Sequence, residues 1–444
     1  MKQDNRYQVG IIGGGFTGLA AAVCLLQKGV NVCVLEKSNY LGGLASTFDT
    51  GSYEIEKFYH QWYAGDEGYQ WLLELIGRTD KESTVSMKHG FYFRQAVWRT
   101  KNPFDHFRYS GLTSTDSMRM AYALWRLRGV TDWRTIDQFT VRDWFIKYAN
   151  EGIYERFWKQ LLLARFGNHA DDISVVWVWQ KLKRDQNSKP KKKKGQVASY
   201  YEGGFSALFD DIEKHIVARD GRIVRRTEIK GIEHTEDKRY RVVGSESDTA
   251  LSFDRIIITT PLPEAGRILK NLVDAKTIEE ISAVRHLDSR GIILRLRHSL
   301  SDLYWVANRD LSFPFVGVIE HTQFRPPSDY AGEHIVYLSQ TVAPGMAEYE
   351  MADDAYIEFG LQHVEQMFEN FSRDSLIAAH TWRADNAQPL VSTNYHKRLP
   401  QAAVDNGGVL LATQAHVYPD YRGTHTAIRA GRAVGEAAAR ALGV

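Results

Sequence analysis

The segment 9–47 constrains this chain more than any other stretch. Val9-Gly10-Ile11-Ile12 is a short apolar run suited to a buried strand, and Gly13-Gly14-Gly15-Phe16-Thr17-Gly18 follows it directly. A helical stretch over 19–28 comes next, then a second apolar run over 31–35 that ends in Glu36. A strand, glycine turn, helix, strand and acid in this order make a unit that holds a dinucleotide. Gly13 allows the tight turn, Gly15 lets the backbone approach a pyrophosphate, and Gly18 permits close packing of helix on sheet. Phe16 and Thr17 open the helix, whose free N–H groups and positive dipole end suit a diphosphate. Glu36 can accept a hydrogen bond from a ribose hydroxyl.

At 444 residues the chain has room for two or three domains and a large core. Its 43% hydrophobic and 25% charged content is that of a soluble globular protein. No apolar run approaches the roughly 20 residues of a membrane-spanning helix. The N-terminus passes straight into the first strand, so no signal peptide is expected. Cys24 and Cys33 fall in the first helix and second strand and read as small core residues, which fits a cytoplasmic protein without disulfides. No metal is expected. Residues 181–194 hold eight basic side chains and one acid, in a chain whose net charge is only +2. This run reads either as a solvated loop or as a contact with anionic lipid or a phosphorylated substrate. Nucleic acid is not expected, because the run has no interleaved aromatics and the rest of the chain is acidic.

Beyond the opening unit the organisation is discontinuous. Residues 69–77 read as a short amphipathic helix closed by Gly77, and 87–99 as short strands. From 103 to 184 the pattern is helical and rich in Trp and Arg, with a capping box from Thr140 to Asp143. A helix over 116–128 would carry Arg119, Arg126 and Arg128 among Met120, Leu124 and Leu127, for packing between domains or for a membrane surface. Glu202-Gly203-Gly204 opens a helix with Phe205, Leu208, Phe209, Ile212 and Ile216 on one face. Strands follow at 222–226, 240–243 and 253–261, the last running into Pro261. Near the C-terminus a strand over 408–413 precedes Tyr421-Arg422-Gly423-Thr424 and an Ala-rich helix over 427–442, in which Gly431 and Gly435 are small packing positions.

The order Glu36-Lys37, then Gly42-Gly43-Leu44-Ala45, then Thr47 resembles the extended motif of FAD-binding amine oxidases, protoporphyrinogen oxidases and phytoene desaturases. It is similar, more weakly, to that of UDP-galactopyranose mutases. Lys37 stands where that superfamily more often has Arg, and either cation can face a phosphate or ribose edge. The blocks at 202–261 and 418–431 resemble the remaining parts of the same FAD domain. Ala412-Thr413 departs from the Gly-Asp common among relatives, which puts the ribityl contact in doubt. The resemblance implies FAD as cofactor, with the backbone at Ile229 facing adenine, Pro261 ending the third strand, and the helix after Arg422-Gly423-Thr424 pointing at the flavin. It also implies an α/β architecture. A discontinuous Rossmann-like FAD domain (1–85, 200–262, 390–444) would carry an inserted α+β substrate domain (86–199, 263–389) with a helical subdomain.

Candidate reactive residues come from two segments. Lys57 and His60, with Tyr59 among neighbouring aromatics, lie just past the FAD motif, where a proton donor or anion contact is expected. The segment 313–322 reads as a strand lining the pocket, on which adjacent Glu320 and His321 would point to opposite faces. Trp305, Trp382 and Arg383 are pocket or core candidates. Relatives that oxidise amines place a lysine near flavin N5, yet no lysine occurs over 277–396. The expected function is therefore dehydrogenation of a largely apolar small-molecule substrate by hydride transfer to flavin N5. The alternative is a flavin-dependent mutase acting on a nucleotide sugar without net oxidation. The oligomeric state is not legible.

Overall fold

The computed structural model describes residues 6–100, 112–187, 197–244 and 251–444. The sequence unit at the N-terminus forms the strand Arg6–Ile12, the helix Phe16–Gln27 and the strand Val32–Leu35. These strands join an eight-stranded sheet in the order Arg222–Val224, Val32–Leu35, Arg6–Ile12, Ser252–Ile258, Tyr240–Gly244, Ile229–His234. Val409–Leu411 also pairs with Ser252–Ile258, and Ala403–Val404 flanks it. The central pairings are parallel, with Ile12 level with both Leu35 and Ile258. Val9, Ile11, Val32, Val34, Ile256 and Ile257 are fully buried, as expected of parallel strands covered on both faces. Cys24 and Cys33 are free and buried.

The expected packing of the C-terminal helix is present. Thr424–Ala441 lies across Phe16–Gln27 so closely that a Cβ on Gly431 would stand 2.2 Å from the Thr17 carbonyl oxygen. Any side chain there would pry the two helices apart.

A second, seven-stranded sheet runs Leu376–Pro389, His286–Leu296, His334–Val342, Gly317–Glu320, Trp305–Asn308, His89–Phe93, Ala96–Thr100. Between its strands the chain makes a helical layer, which includes Ser114–Arg128, Val141–Tyr148, Lys159–Phe166 and Val176–Asn187. Its core is Trp144, Phe145, Trp158, Leu162 and Trp177. The Thr140 capping box forms as expected, Thr140 Oγ1 accepting from the Asp143 N–H at 2.9 Å. The helix Ser114–Arg128 is two-sided: Met120, Ala123 and Leu127 are buried, whereas Met118, Tyr122 and Trp125 are exposed. Of the lysine-rich run, residues 188–194 lie outside the described residues. Among the described residues no helix is long and apolar enough to cross a membrane.

One expected strand is much shorter than its sequence suggested. Residues 313–322 give only Gly317–Glu320, because Asn308 Nδ2 donates to the Phe313 carbonyl in a turn and His321 opens a 3-10 turn.

Candidate functional site: a dinucleotide cradle opening on a second sheet

The turn after Arg6–Ile12 sets the site. Gly42 has φ +106, a left-handed conformation that glycine tolerates, and its N–H donates to the Gly14 carbonyl at 2.8 Å. The two glycine segments are thereby laid side by side, with Gly15 bridged to Gly42. Glu36 ties them to the second strand: its carboxylate accepts from the Gly14 N–H at 2.7 Å and the Ser38 N–H at 2.8 Å. Gly18 is enclosed, since a Cβ there would meet the Gly13 carbonyl oxygen at 1.9 Å. Gly15 is open: nothing lies nearer than 3.9 Å to its missing Cβ.

In front of Gly15 lies a cavity of about 840 Å³, within the size range of cofactor and substrate pockets. Its wall includes Gly13, Gly15, Phe16, Thr17, Glu36 and Lys37 at one end, and Gly42, Gly43, Leu44 and Ala45 beside them. Ile229 and Pro261 reach it from neighbouring strands, and Tyr59, His60, Arg422, Gly423 and Thr424 from the other side. Every residue expected at the cofactor lines this cavity except Gly18, which shapes the turn from behind. Two helix N-termini open onto it, at Gly15 and Gly423, and neither has a side-chain cap. Their first-turn N–H groups are free to meet an anion. A glycine cradle, an acid at the strand end and two uncapped N-termini fit a dinucleotide with a diphosphate.

The far end is built from the second sheet and the helical layer. Ser289, Trp305, Val316, Ser339 and Thr341 come from the seven-stranded sheet or its approach. Arg165, Lys181 and Arg184 come from the helical layer, and Tyr63 and Tyr421 complete the wall. Tyr59 packs on Trp305 with ring centroids 5.2 Å apart, and its hydroxyl is buried.

His60 reaches the cavity, but not as a cationic proton donor. Its Nδ1 lies 2.8 Å from the Phe58 carbonyl, which can only accept, so Nδ1 carries the proton and Nε2 is an acceptor. Burial, with Arg422 adding to it, lowers the ring to about 4 against the pull of that carbonyl. Lys57 is not on the cavity wall. Its ammonium sits 4.6 Å over the Trp382 ring and 5.1 Å from Tyr40, and burial lowers its pKa.

Glu320 and His321 are both buried, and neither lines the cavity. Glu320 accepts from Ser299 Oγ at 2.7 Å and the Ser301 N–H at 2.6 Å; burial raises its pKa. His321 Nε2 pairs with the Tyr330 hydroxyl at 2.6 Å, and burial takes its ring down to about 3. Their tight pairing makes them structural. Arg383 bonds the Met351 carbonyl and Asp353, outside the cavity, while Trp305 lines it.

The family model described as flavin containing amine oxidoreductase matches residues 16–440. The chain belongs to this family. It is an FAD-dependent oxidoreductase. A protein described as "Probable zeta-carotene desaturase", from Synechococcus elongatus, is 26% identical over 420 residues, covering 83% of this chain and 85% of its own length. Among solved structures, a "Putative protoporphyrinogen oxidase" from Exiguobacterium sp. 255-15 superposes with a TM-score of 0.75 at 18% identity, covering 98% of this chain and 99% of that one. A reduced UDP-galactopyranose mutase superposes with a TM-score of 0.74 at 15% identity, covering 98% and 96%. These two likenesses are of fold.

Proposed function

We propose that this family member dehydrogenates an organic substrate, which delivers a hydride to flavin N5 as in a desaturase or oxidase. The observation that carries the reading is the continuity of the cavity, which runs from the glycine cradle on one sheet to Trp305, Ser339 and Thr341 on the other. FAD, when bound, accepts the electron pair and passes it to oxygen, a quinone or another carrier. The chain's own residues do the rest. The N–H groups at Gly15–Thr17 hold the diphosphate, and Glu36 orders that loop and offers its remaining lone pairs to a ribose. The N-terminus at Gly423–Thr424 favours negative charge beside it. Tyr59, Trp305 and Val316 give the substrate an apolar wall, and His60 Nε2 offers a hydrogen-bond acceptor.

Anaerobic mixing of the holoenzyme with candidate substrates tests this. Bleaching of the flavin's visible absorbance, with formation of the unsaturated product, is expected. Turnover that appears only after chemical reduction of the flavin, with no net oxidation, would replace this reading with the mutase. The arginines and tyrosines at the far end keep that second reading in play, because a nucleotide sugar needs such a wall.

We also propose a peripheral contact with anionic lipid. Exposed Met118, Tyr122 and Trp125 share their helix with exposed Arg119, Arg126 and Arg128. The start of the lysine-rich run adjoins it, Lys183 Nζ donating to the Arg128 carbonyl at 3.2 Å. Vesicles containing phosphatidylserine should sediment the protein, and Trp125→Ser should release it. Equal recovery with neutral phosphatidylcholine would reject the contact.

A further inference from the structure

Two helices and one turn bring four cations to the far end of the cavity. Arg165 comes from Lys159–Phe166, Lys181 and Arg184 from Val176–Asn187, and Arg422 from the turn before Thr424–Ala441. They gather around Tyr421. Arg165 Nη2 donates to its hydroxyl at 3.3 Å. The Arg184 guanidinium is 5.1 Å from its ring and 4.5 Å from that of Tyr63. The Lys181 ammonium is 5.8 Å from the Tyr421 ring and 4.2 Å from Trp177.

Like charges held this close repel, more strongly where protein replaces water. Arg422 registers it: burial lowers its guanidinium to about 10, Arg165 and Arg184 push the same way, and Tyr421 opposes them. Among the described residues no carboxylate makes an ion pair with Arg165, Arg184 or Arg422. Asp66 is near enough to feel Arg184, but it accepts the Tyr63 N–H at 3.0 Å and lies 3.7 Å from His425, and burial raises its pKa. Among the described residues the buried Nε atoms of Arg165 and Arg184 have no hydrogen-bond partner. Burial of Tyr421 opposes its ionisation, yet the field of Arg165, Lys181, Arg422 and Arg184 brings the phenol down to about 7. A site that draws negative charge onto a phenol is short of an anion. FAD's diphosphate has its own cradle at Gly13–Thr17, so the diphosphate is not the anion that these side chains lack.

We propose that Arg165, Lys181, Arg184 and Arg422 form a subsite for an anionic group on the substrate, a carboxylate or a phosphate. The inference rests on the reading that a substrate enters this cavity beside FAD. The two planar guanidinium groups of Arg165 and Arg184 suit a group with paired oxygens. The substrate is therefore amphipathic: its anionic end lies among these cations and its oxidisable end against Tyr59 and Trp305, rather than being apolar throughout.

The test is binding to the holoenzyme, read by calorimetry and by perturbation of the flavin spectrum at low ionic strength. The probes are inorganic phosphate, inorganic pyrophosphate, propionate and the neutral propionamide. Saturable binding of a phosphate or of propionate is expected, weakening with added salt, and the responding probe identifies the group. Arg165→Met and Arg184→Met should each weaken it roughly 10- to 100-fold with FAD content retained. If either fails to load FAD, Arg165→Lys and Lys181→Met carry the same comparison. Propionamide binding as well as propionate, or anion affinity unchanged in the variants, overturns the proposal. So does a shifted flavin reduction potential with anion affinity unchanged, which would assign the cluster to the flavin. Anion binding without flavin reduction by any substrate sinks the proposed oxidation and leaves the subsite. Flavin reduction by neutral substrates without anion binding sinks the subsite alone.

Discussion

Arg290 and the Arg165–Arg184 pair place positive charge beneath the surface in opposite ways. Arg290 is fully buried in the seven-stranded sheet. Its Nη1 donates to the carbonyls of Glu348, Tyr349 and Met351 at 2.7, 3.2 and 2.9 Å, and its Nη2 to Asp353 at 2.9 Å. Its guanidinium also stacks 3.9 Å over Tyr356. Arg184 has ring contacts and, among the described residues, no ion pair, and it faces a cavity. One cation belongs to the architecture and the other awaits a ligand. Glycine shows the same split. The space beside Gly18 is filled by the chain itself, while the space beside Gly15 is left for a cofactor.

Substitutions can break this contrast. Arg290→Met strands three carbonyls and frees the exposed Asp353, and should cost about 3 kcal/mol of stability at about 1 kcal/mol per stranded carbonyl, measured by denaturant unfolding. A cost near zero would mean that the buried cation is not structural. Gly15→Ala should leave secondary structure and the stability of the apoprotein unchanged but weaken FAD roughly tenfold, about 1.4 kcal/mol, seen in the flavin-to-protein absorbance ratio after dialysis. Unchanged FAD retention would place the diphosphate elsewhere. Arg184→Met should change stability by less than about 1 kcal/mol, or raise it, because it relieves like-charge repulsion. A loss as large as that for Arg290→Met would erase the distinction.

The cation cluster should also show itself in a pH dependence of stability. Burial resists ionisation of Tyr421, but the cations around it lower its phenol from the ordinary 10 to about 7. Between these values the folded protein has released the phenolic proton and the unfolded chain keeps it. Stability from this group therefore grows as pH rises from 7 to 10 and is lost as pH falls through 7. Thermal midpoints of the wild type and Tyr421→Phe, compared across that range, should diverge by this increment. Parallel profiles would show that the cluster does not ionise the phenol.

The cradle was legible because its parts are consecutive. Gly13 to Glu36 fold against one another, so spacing alone specifies their geometry, and the helix bearing Phe205, Leu208 and Phe209 declared itself by period. The cation cluster was not legible. Arg165 and Arg184 sit in a helical stretch of ordinary basic content, and their meeting with Tyr421 depends on how that layer lands on a turn far along the chain. Lys181 and Arg184 did stand out, but as the start of a lysine-rich run whose other members obscured them. Lys57 and Glu320 were misplaced for a related reason. Proximity to a motif says nothing about which way Lys57 turns, and an apolar run says nothing about which cavity its strand faces; Trp382 and Ser301 hold the two side chains.

The close crossing at Gly431 also has a bearing on how the protein is made. The cofactor helix starts at Phe16 and the helix pressed against it starts at Thr424, so about 400 residues are synthesised between the two. Over that interval a nascent chain exposes the glycine turn without the helix that packs against it. Chains stalled or clipped before Gly431 should be unable to retain FAD, which makes the bound flavin a visible marker of molecules whose synthesis passed this helix.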